Sequence, residues 1–372
     1  MGLGLLVSET GHVPLLYRTY PGNGSDQGVF AHCLAGLGKL HDALDEGEGR
    51  RTPAARTVVR DGGFWSPQLE LELDGIGYYS LISLPLGHGA AEQALEHAAR
   101  RGAMKHLKGG YRDVRAARRR AQVGELDRTL VVVESQELLA GQKRGIAAAL
   151  SKAKQTLRAL ERRVQAGRVH RRRVEAVLAQ VLGREHLAQF VVTHVGGDEK
   201  RPTFHWHVDK TKRRQLEKTR LGRRVLCTDR HTWSTERIVA AFRGQWNVEE
   251  LFRRAKRGGL VPWAPSHQWA DASLRLHTFA TVIGLTLVSL AKLALRTRAS
   301  AKKMMTRLRR IRATMVRTTT GQRGRRPTVL LAPELSRQQV RAVRVFELAR
   351  WMPTLSSCSP KRGGDAESQD AA

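Results

Sequence analysis

The chain has 372 residues, with 41% hydrophobic side chains, 65 Lys plus Arg against 34 Asp plus Glu, and a formal net charge of +31. That length and apolar content allow a sizeable core and exclude a wholly disordered chain, and the basic excess calls for a polyanionic partner, most often nucleic acid. Three cysteines far apart, Cys33, Cys227 and Cys358, exclude a disulfide framework and favour a reducing, cytosolic setting.

The N-terminus, MGLGLLVSETGHVPLL, has no basic n-region and no clear cleavage site, so it does not read as a signal peptide. Leu3–Ser8 reads as a strand, Gly11-His12 as a turn and Val13–Tyr20 as a second strand. Asn23 to Asp26 form a loop with an N-cap at Ser25 or Asp26, and a helix follows to about Leu44. Arg56–Arg60 reads as a short strand ending at Asp61-Gly62-Gly63. Ser66-Pro67 starts a short helix, and Tyr78–Leu84 is an apolar strand. This order predicts a mixed α/β sheet. Asp61 stands at a strand end, where open α/β sheets place catalytic groups, and two glycines beside it permit close approach of a ligand. The same three residues also satisfy an ordinary Asp-Gly turn.

From His88 to Arg224 the pattern changes. Lys105–Gln122 is strongly basic, and Thr129–Glu134 reads as a strand. Leu138–Arg163 and Val169–Leu182 read as an antiparallel helical hairpin with Leu, Ala and Val stripes. Phe190–Val195 and Thr203–Val208 are short strands. His205 and His207 flank Trp206 on one strand face, as a metal pair or, more simply, as polar positions of a half-exposed strand. Arg224–Thr228 is a strand that ends at Asp229, placed like Asp61 as a candidate catalytic carboxylate or, more simply, as an Asp229-Arg230 turn before a helix cap at Ser234.

Phe242–Lys256, FRGQWNVEELFRRAK, reads as part of one helix that begins near Ser234. Helical spacing places Phe242, Gln245, Glu249, Phe252, Arg253 and Lys256 on one stripe, a carboxylate with positive charge nearby. Such a stripe suits metal-assisted chemistry on a phosphodiester; it also fits an amphipathic surface helix with Glu–Arg pairs. Gly258-Gly259 reads as the helix stop. Trp263, His267 and Trp269 are candidates for base stacking or for core cover. Thr278–Ala291, the most apolar run, is too short to span a bilayer, so Leu274–Leu295 reads as a buried core helix. Arg296–Arg326 holds twelve Lys or Arg and no acid, the composition of a nucleic-acid-backbone contact. Leu330–Trp351 reads as a last helical element and Thr354–Ala372 as disordered.

The 242–256 motif resembles the Tyr-Arg-Glu-Lys signature of DDE-type insertion-sequence transposases. Phe242, Gln245, Glu249 and Lys256 hold its four positions at matching spacing, with Phe and Gln in place of Tyr and Arg. The Trp246 to Arg253 frame, the series Pro265, Trp269, Asp271 and His277, the N-terminal strand pair with its Gly-Asn-x-x-Asp loop, and VVRDGGFWSPQ resemble further segments of that family in the same order. The resemblance implies a ribonuclease-H-like core interrupted by an insertion before the Glu-bearing helix. The expected division is 1–87 and 225–295 for the core, 88–224 for the insertion, 296–353 for a basic helical region and 354–372 for a tail. It further implies catalytic and metal-holding roles for Asp61 and Glu249, with Mg²⁺ or Mn²⁺ as cofactor. DNA contacts are implied for Lys256, Gln245, Arg253 and Phe242. The implied partners are double-stranded DNA, as transposon terminal inverted repeats and as target, and a second copy of the chain in the DNA complex, with no membrane. The implied location is the bacterial cytoplasm, at the nucleoid. In this family the first catalytic aspartate lies on the strand before the one that opens this chain. The expectation is therefore an N-terminally truncated transposase, impaired on its own. The other expectation is a basic nucleic-acid-binding protein in which the acids are structural.

Overall fold

The structure is a computed structural model. It describes residues 2–352 except 23, 25, 48–54, 112, 184–185, 258–262, 264–269, 298, 313, 318–327 and 332–333. The expected N-cap at Ser25, the helix stop at Gly258-Gly259, the residues Pro265, His267 and Trp269, and the tail lie outside the described residues.

In chain order the elements are β1 (Gly2–Val7), β2 (Pro14–Tyr20), α1 (Asp26–Gly47), β3 (Arg56–Arg60), α2 (Pro67–Gly75), β4 (Tyr78–Leu84), α3 (Gly89–Ala99), β5 (Lys105–His106), β6 (Val114–Val123) and β7 (Leu126–Ser135). They continue with α4 (Gln136–Gln165), α5 (Arg171–Leu182), β8 (Val191–Gly197), β9 (Pro202–Val208), α6 (Lys210–Thr219), β10 (Arg223–Thr228), α7 (Thr235–Arg243) and α8 (Trp246–Arg257). The last are α9 (Asp271–Ala294), α10 (Ala301–Arg309), β11 (Thr314–Arg317), β12 (Thr328–Leu331) and α11 (Arg337–Val345). The class is mixed α/β. The chain forms two compact units, one of Gly24–Gln245 and one of Met1–Asn23 with Trp246–Ala372.

The Gly24–Gln245 unit is built on a six-stranded sheet of order β3-β4-β10-β7-β6-β5. Only β3 and β4 run parallel; the other pairs are antiparallel. The sheet is covered on both faces, which is why its central strands read as apolar runs without clear alternation. On one face Ile82, Leu130, Val132, Val225 and Cys227 pack with the alanine-rich side of α3. On the other, Leu81, Val131 and Leu226 pack with Ile238, Val239 and Phe242 of α7. The period-two alternation of these strands thus assigns neighbouring residues to different cores.

Residues 88–224, expected as an insertion, divide in two. β5, β6 and β7 share the sheet with β3, β4 and β10, and the basic stretch Lys105–Gln122 supplies β5 and β6. α3 packs on that sheet as well, and residues from α4 to α6, with the β8–β9 hairpin, form a second core. Along α4 the buried residues are Ile146, Leu150, Ala153, Leu157, Leu160 and Val164. Their alternating spacing of four and three is the seam of a helix packed lengthwise on other elements. Val174, Leu178 and Val181 of α5 meet it, so the expected helical hairpin forms.

In the other unit, β1 and β2 pair as an antiparallel hairpin, against which α8 and α9 pack. Leu251 and Ala255 of α8, Leu285 of α9, Val7 and Trp263 form its core. α9 corrects the reading of a fully buried helix that is too short for a bilayer. It runs 24 residues, and among the described residues it is the one helix long and apolar enough to cross a membrane. Val282, Leu285 and Val288 are buried, but Leu276 is 67% exposed, and Phe279, Ile283, Leu287 and Leu290 are exposed with it.

Candidate functional site

The stripe expected at Phe242–Lys256 is divided. The helix stops at Arg243, where Gly244 N–H donates to the carbonyls of Ala240 and Ala241, and a new helix starts at Trp246. Glycine is a poor helix former, and this turn closes where one unit ends and the other begins. Phe242 and Gln245 therefore belong with the six-stranded sheet, and Glu249, Arg253 and Lys256 with the β1–β2 hairpin.

Phe242, expected at the DNA surface, is 6% exposed and packs in the core beneath α7, with the Arg224 guanidinium 5.4 Å from its ring centroid. A side chain so placed supports the sheet and does not face a polyanion. Gln245 is half-buried, and its backbone N–H closes the turn onto the Phe242 carbonyl at 3.1 Å.

On α8 the strong amphipathic pattern buries Leu251 and Ala255 and turns Glu249, Arg253 and Lys256 outward. The expected Glu–Arg pairing falls on the next residue. Glu250 takes Arg253 on one carboxylate oxygen and Arg254 on the other, the latter at 3.0 Å. Among the described residues Glu249 has no ion pair, and neither does Lys256. Glu249 lies in the first turn of α8, where the helix dipole favours a carboxylate. Arg253 also lies over the Trp246 ring, 5.9 Å from its centroid, and Trp246 is 56% exposed.

Two cations and an imidazole also gather in this unit, which the linear sequence does not bring together. Lys292 of α9 and Arg254 of α8 stand near His12 of the hairpin turn. Burial, then Lys292 and Arg254, hold the His12 imidazole below its ordinary range. Burial, then Arg254, lower Lys292. No motif signals this cluster, because its members come from three distant segments.

Asp61 sits at the carboxyl end of β3 and is exposed. It opens a short 3₁₀ turn, its carboxylate accepting the Gly62 N–H at 2.8 Å. Among the described residues no cation pairs with it. The close approach that the adjacent glycine allows is to the protein itself: a Cβ at Gly62 would stand 2.8 Å from the Ser83 carbonyl oxygen of β4. The Asp-Gly turn and a free carboxylate are thus both present at this strand end.

The other acid at a strand end, Asp229, is a structural residue, as the turn reading expects. Its two oxygens accept the Ser80 N–H at 3.0 and 3.2 Å, tying β10 to β4. Burial pushes its carboxyl up to about 6, against the lowering effects of the Ser80 hydrogen bond and Arg128. Ser234 caps α7 through the Arg237 N–H at 3.1 Å. His205 and His207 share a face of the β8–β9 hairpin with His194, which pairs with His205 and stacks on His207 at 6.4 Å. Among the described residues, no group of three His, Cys, Asp or Glu side chains is disposed to hold a metal ion. The donors that Asp61 and Glu249 offer are exposed carboxylate oxygens, the hard ligands that Mg²⁺ and Mn²⁺ take. No known family, no characterised protein and no solved structure matches this chain.

Proposed function

We propose that this protein acts on DNA as a transposase of the DDE type, with a ribonuclease-H-like core as the ancestral frame of its α/β sheet. Asp61 and Glu249 are its metal-holding carboxylates. Asp61 belongs to the Gly24–Gln245 unit and Glu249 to the other; divalent ions held by these carboxylates would supply activation of an attacking oxygen and charge stabilisation on a leaving one. On α8, Glu249 presents a carboxylate, while Lys256 and Arg253 contact strand phosphates; Gln245, in the turn before α8, offers an uncharged hydrogen-bonding group. The substrates are the element's terminal inverted repeats and target DNA, and a second copy of the chain joins the DNA complex. The exposed stripe of α9 supports that second copy, since Leu276, Ala280, Ile283, Leu287, Leu290 and Ala294 repeat at alternating four and three residues, the spacing of a helix seam. The working place of such a protein is the bacterial cytoplasm, at the nucleoid.

The observation that carries the reading is the division of labour on α8. Glu250 pairs with both neighbouring arginines, and Glu249, one residue earlier, is exposed and has no ion pair among the described residues, about two turns before Lys256.

The test is strand cleavage of a duplex carrying the element's own ends, with Mg²⁺ or Mn²⁺, by the chain and by Asp61→Asn and Glu249→Ala. Weak metal-dependent nicking, as an impaired enzyme would give, lost in both variants with duplex binding kept, is the expected result. Binding with no metal- and carboxylate-dependent cleavage favours the second reading, a non-catalytic basic nucleic-acid-binding protein. The net charge of +31 by itself supports that second reading.

A further inference from the structure

A cavity of about 230 Å³ lies where the end of α9 meets α10 and α11. Its two kinds of wall are sharply different. Leu295, Met304 and Leu308 make an apolar floor, and Leu295 and Met304 are buried in the local core. Arg296, Arg307 and Arg341 stand around it, and no carboxylate lines it. Among the described residues Arg296 and Arg341 have no ion pair, and both are exposed.

The rim is held in place by the backbone. Arg296 adopts the left-handed conformation, φ 46°, directly after the last turn of α9, which is uncommon for a residue with a side chain. Arg307 donates to the Gln338 side-chain oxygen. Gln339 completes a capping box with Ser336 at the start of α11, and its amide donates to the Arg307 carbonyl at 3.0 Å. α10 and α11 are therefore tied to each other at the cavity wall.

We propose that this cavity binds one backbone unit of a nucleic-acid strand. The phosphodiester sits between Arg296 and Arg341, whose planar forks suit phosphate oxygens, and the deoxyribose rests on Leu295, Met304 and Leu308. The volume lies below the roughly 300 Å³ at which pockets for whole small-molecule ligands begin, so it takes a single unit rather than a dinucleotide. This inference rests on the nucleic-acid side of the proposed function and is independent of the carboxylates Asp61 and Glu249.

The test uses the full chain and fluorescence anisotropy of a labelled oligonucleotide across a salt series without divalent metal. Arg296→Gln with Arg341→Gln is compared with Lys302→Gln with Lys303→Gln, which removes equal charge from exposed positions of α10 outside the cavity. Circular dichroism and thermal melting check that each variant is folded. The arginine pair is expected to weaken binding about tenfold and to lower the salt slope by about two, the lysine pair by clearly less. Equal losses in both pairs mean diffuse charge attraction and overturn the site. In a second arm, thymidine monophosphate and inorganic phosphate compete with the oligonucleotide. A monophosphate that binds the cavity tightly while the oligonucleotide is unaffected by the arginine changes overturns the strand assignment in favour of a free nucleotide. Cleavage is read separately, so loss of metal-dependent activity leaves this result standing. Failure of the unmodified chain to bind any oligonucleotide removes both.

Discussion

The carboxylate of Asp229 receives the backbone N–H of Ser80 on both oxygens, at 3.0 and 3.2 Å, across the β10–β4 pair. Burial raises its pKa from 3.8 to about 6 in the folded protein. The folded state therefore holds the proton more tightly than the unfolded chain. The resulting stabilisation is complete below about pH 4 and is lost as pH rises through about 6. Asp229→Asn mimics the neutral form while keeping an acceptor for Ser80. The variant is expected to match the parent near pH 4 and to exceed it by about 1–3 kcal/mol above pH 7. Urea unfolding of both proteins from pH 4 to 8 checks this, and a difference that does not change with pH refutes it.

Glu70 is 1% exposed and lies between two buried arginines. It accepts from Arg60 and stands 3.8 Å from Arg128, while Arg60 also donates to the Ser80 hydroxyl at 2.8 Å. Several nitrogens of both guanidinium groups have no other partner. Glu70→Gln leaves two buried cations facing a neutral amide, a change that costs about 3–5 kcal/mol. A large drop in the urea midpoint is expected; a drop comparable to that of an exposed Glu→Gln change contradicts the buried-pair account.

Gly62 tests how firmly Asp61 is held. Gly62→Ala places a methyl group 2.8 Å from the Ser83 backbone oxygen, and that backbone belongs to a buried central strand. The expected cost is about 1–3 kcal/mol, with the Asp61 turn displaced from the end of β3. Thermal melting gives the first outcome. Metal-dependent cleavage lower than the stability loss explains gives the second.

Glu249 and Glu250 are expected to behave oppositely. Glu250→Gln loses the contacts to Arg253 and Arg254, at a cost of about 0.5–1 kcal/mol, because the pair is only partly shielded. Glu249→Gln removes a carboxylate with no ion pair among the described residues and is expected to cost only its helix-dipole contribution, about 0.3–1 kcal/mol. In calorimetric titration with Mn²⁺ the Glu249 variant is expected to lose the binding heat and the Glu250 variant to keep it. The reverse pattern assigns the metal contact to the wrong residue of the pair.

Much of the local structure was legible in the chain. β3 and β4 begin and end where strand propensity and the flanking Asp-Gly and Gly signals put them. The hairpin β1–β2, the long α4 and α5 and the Ser234 cap follow from periodicity and capping chemistry, while at α2 Pro67 opens the helix and Ser66 makes no side-chain cap bond. α3 and α6 went unread. The alanine-rich α3 has little contrast between its faces, and α6 is so polar that only Leu216 is fully buried. The candidate carboxylates Asp61 and Glu249 were legible as residues. That Arg253 and Arg254 belong to Glu250 was not, because three- and four-residue spacings from both glutamates are sterically available on one helix.

The sequence by itself determined the charge, the α/β alternation and the candidate acids, since these depend on residue type and local spacing. Tertiary structure alone decided that Phe242–Lys256 is two helices in two units, that Phe242 is core, and that the Asp229 carboxylate ties β10 to the Ser80 backbone of β4. It also gathered the arginines of α9, α10 and α11 around one apolar floor. The physical reason is common to all four. Burial, pairing and cavity shape are set by neighbours remote in the chain, and the same glutamate, phenylalanine or arginine reads alike until those neighbours arrive.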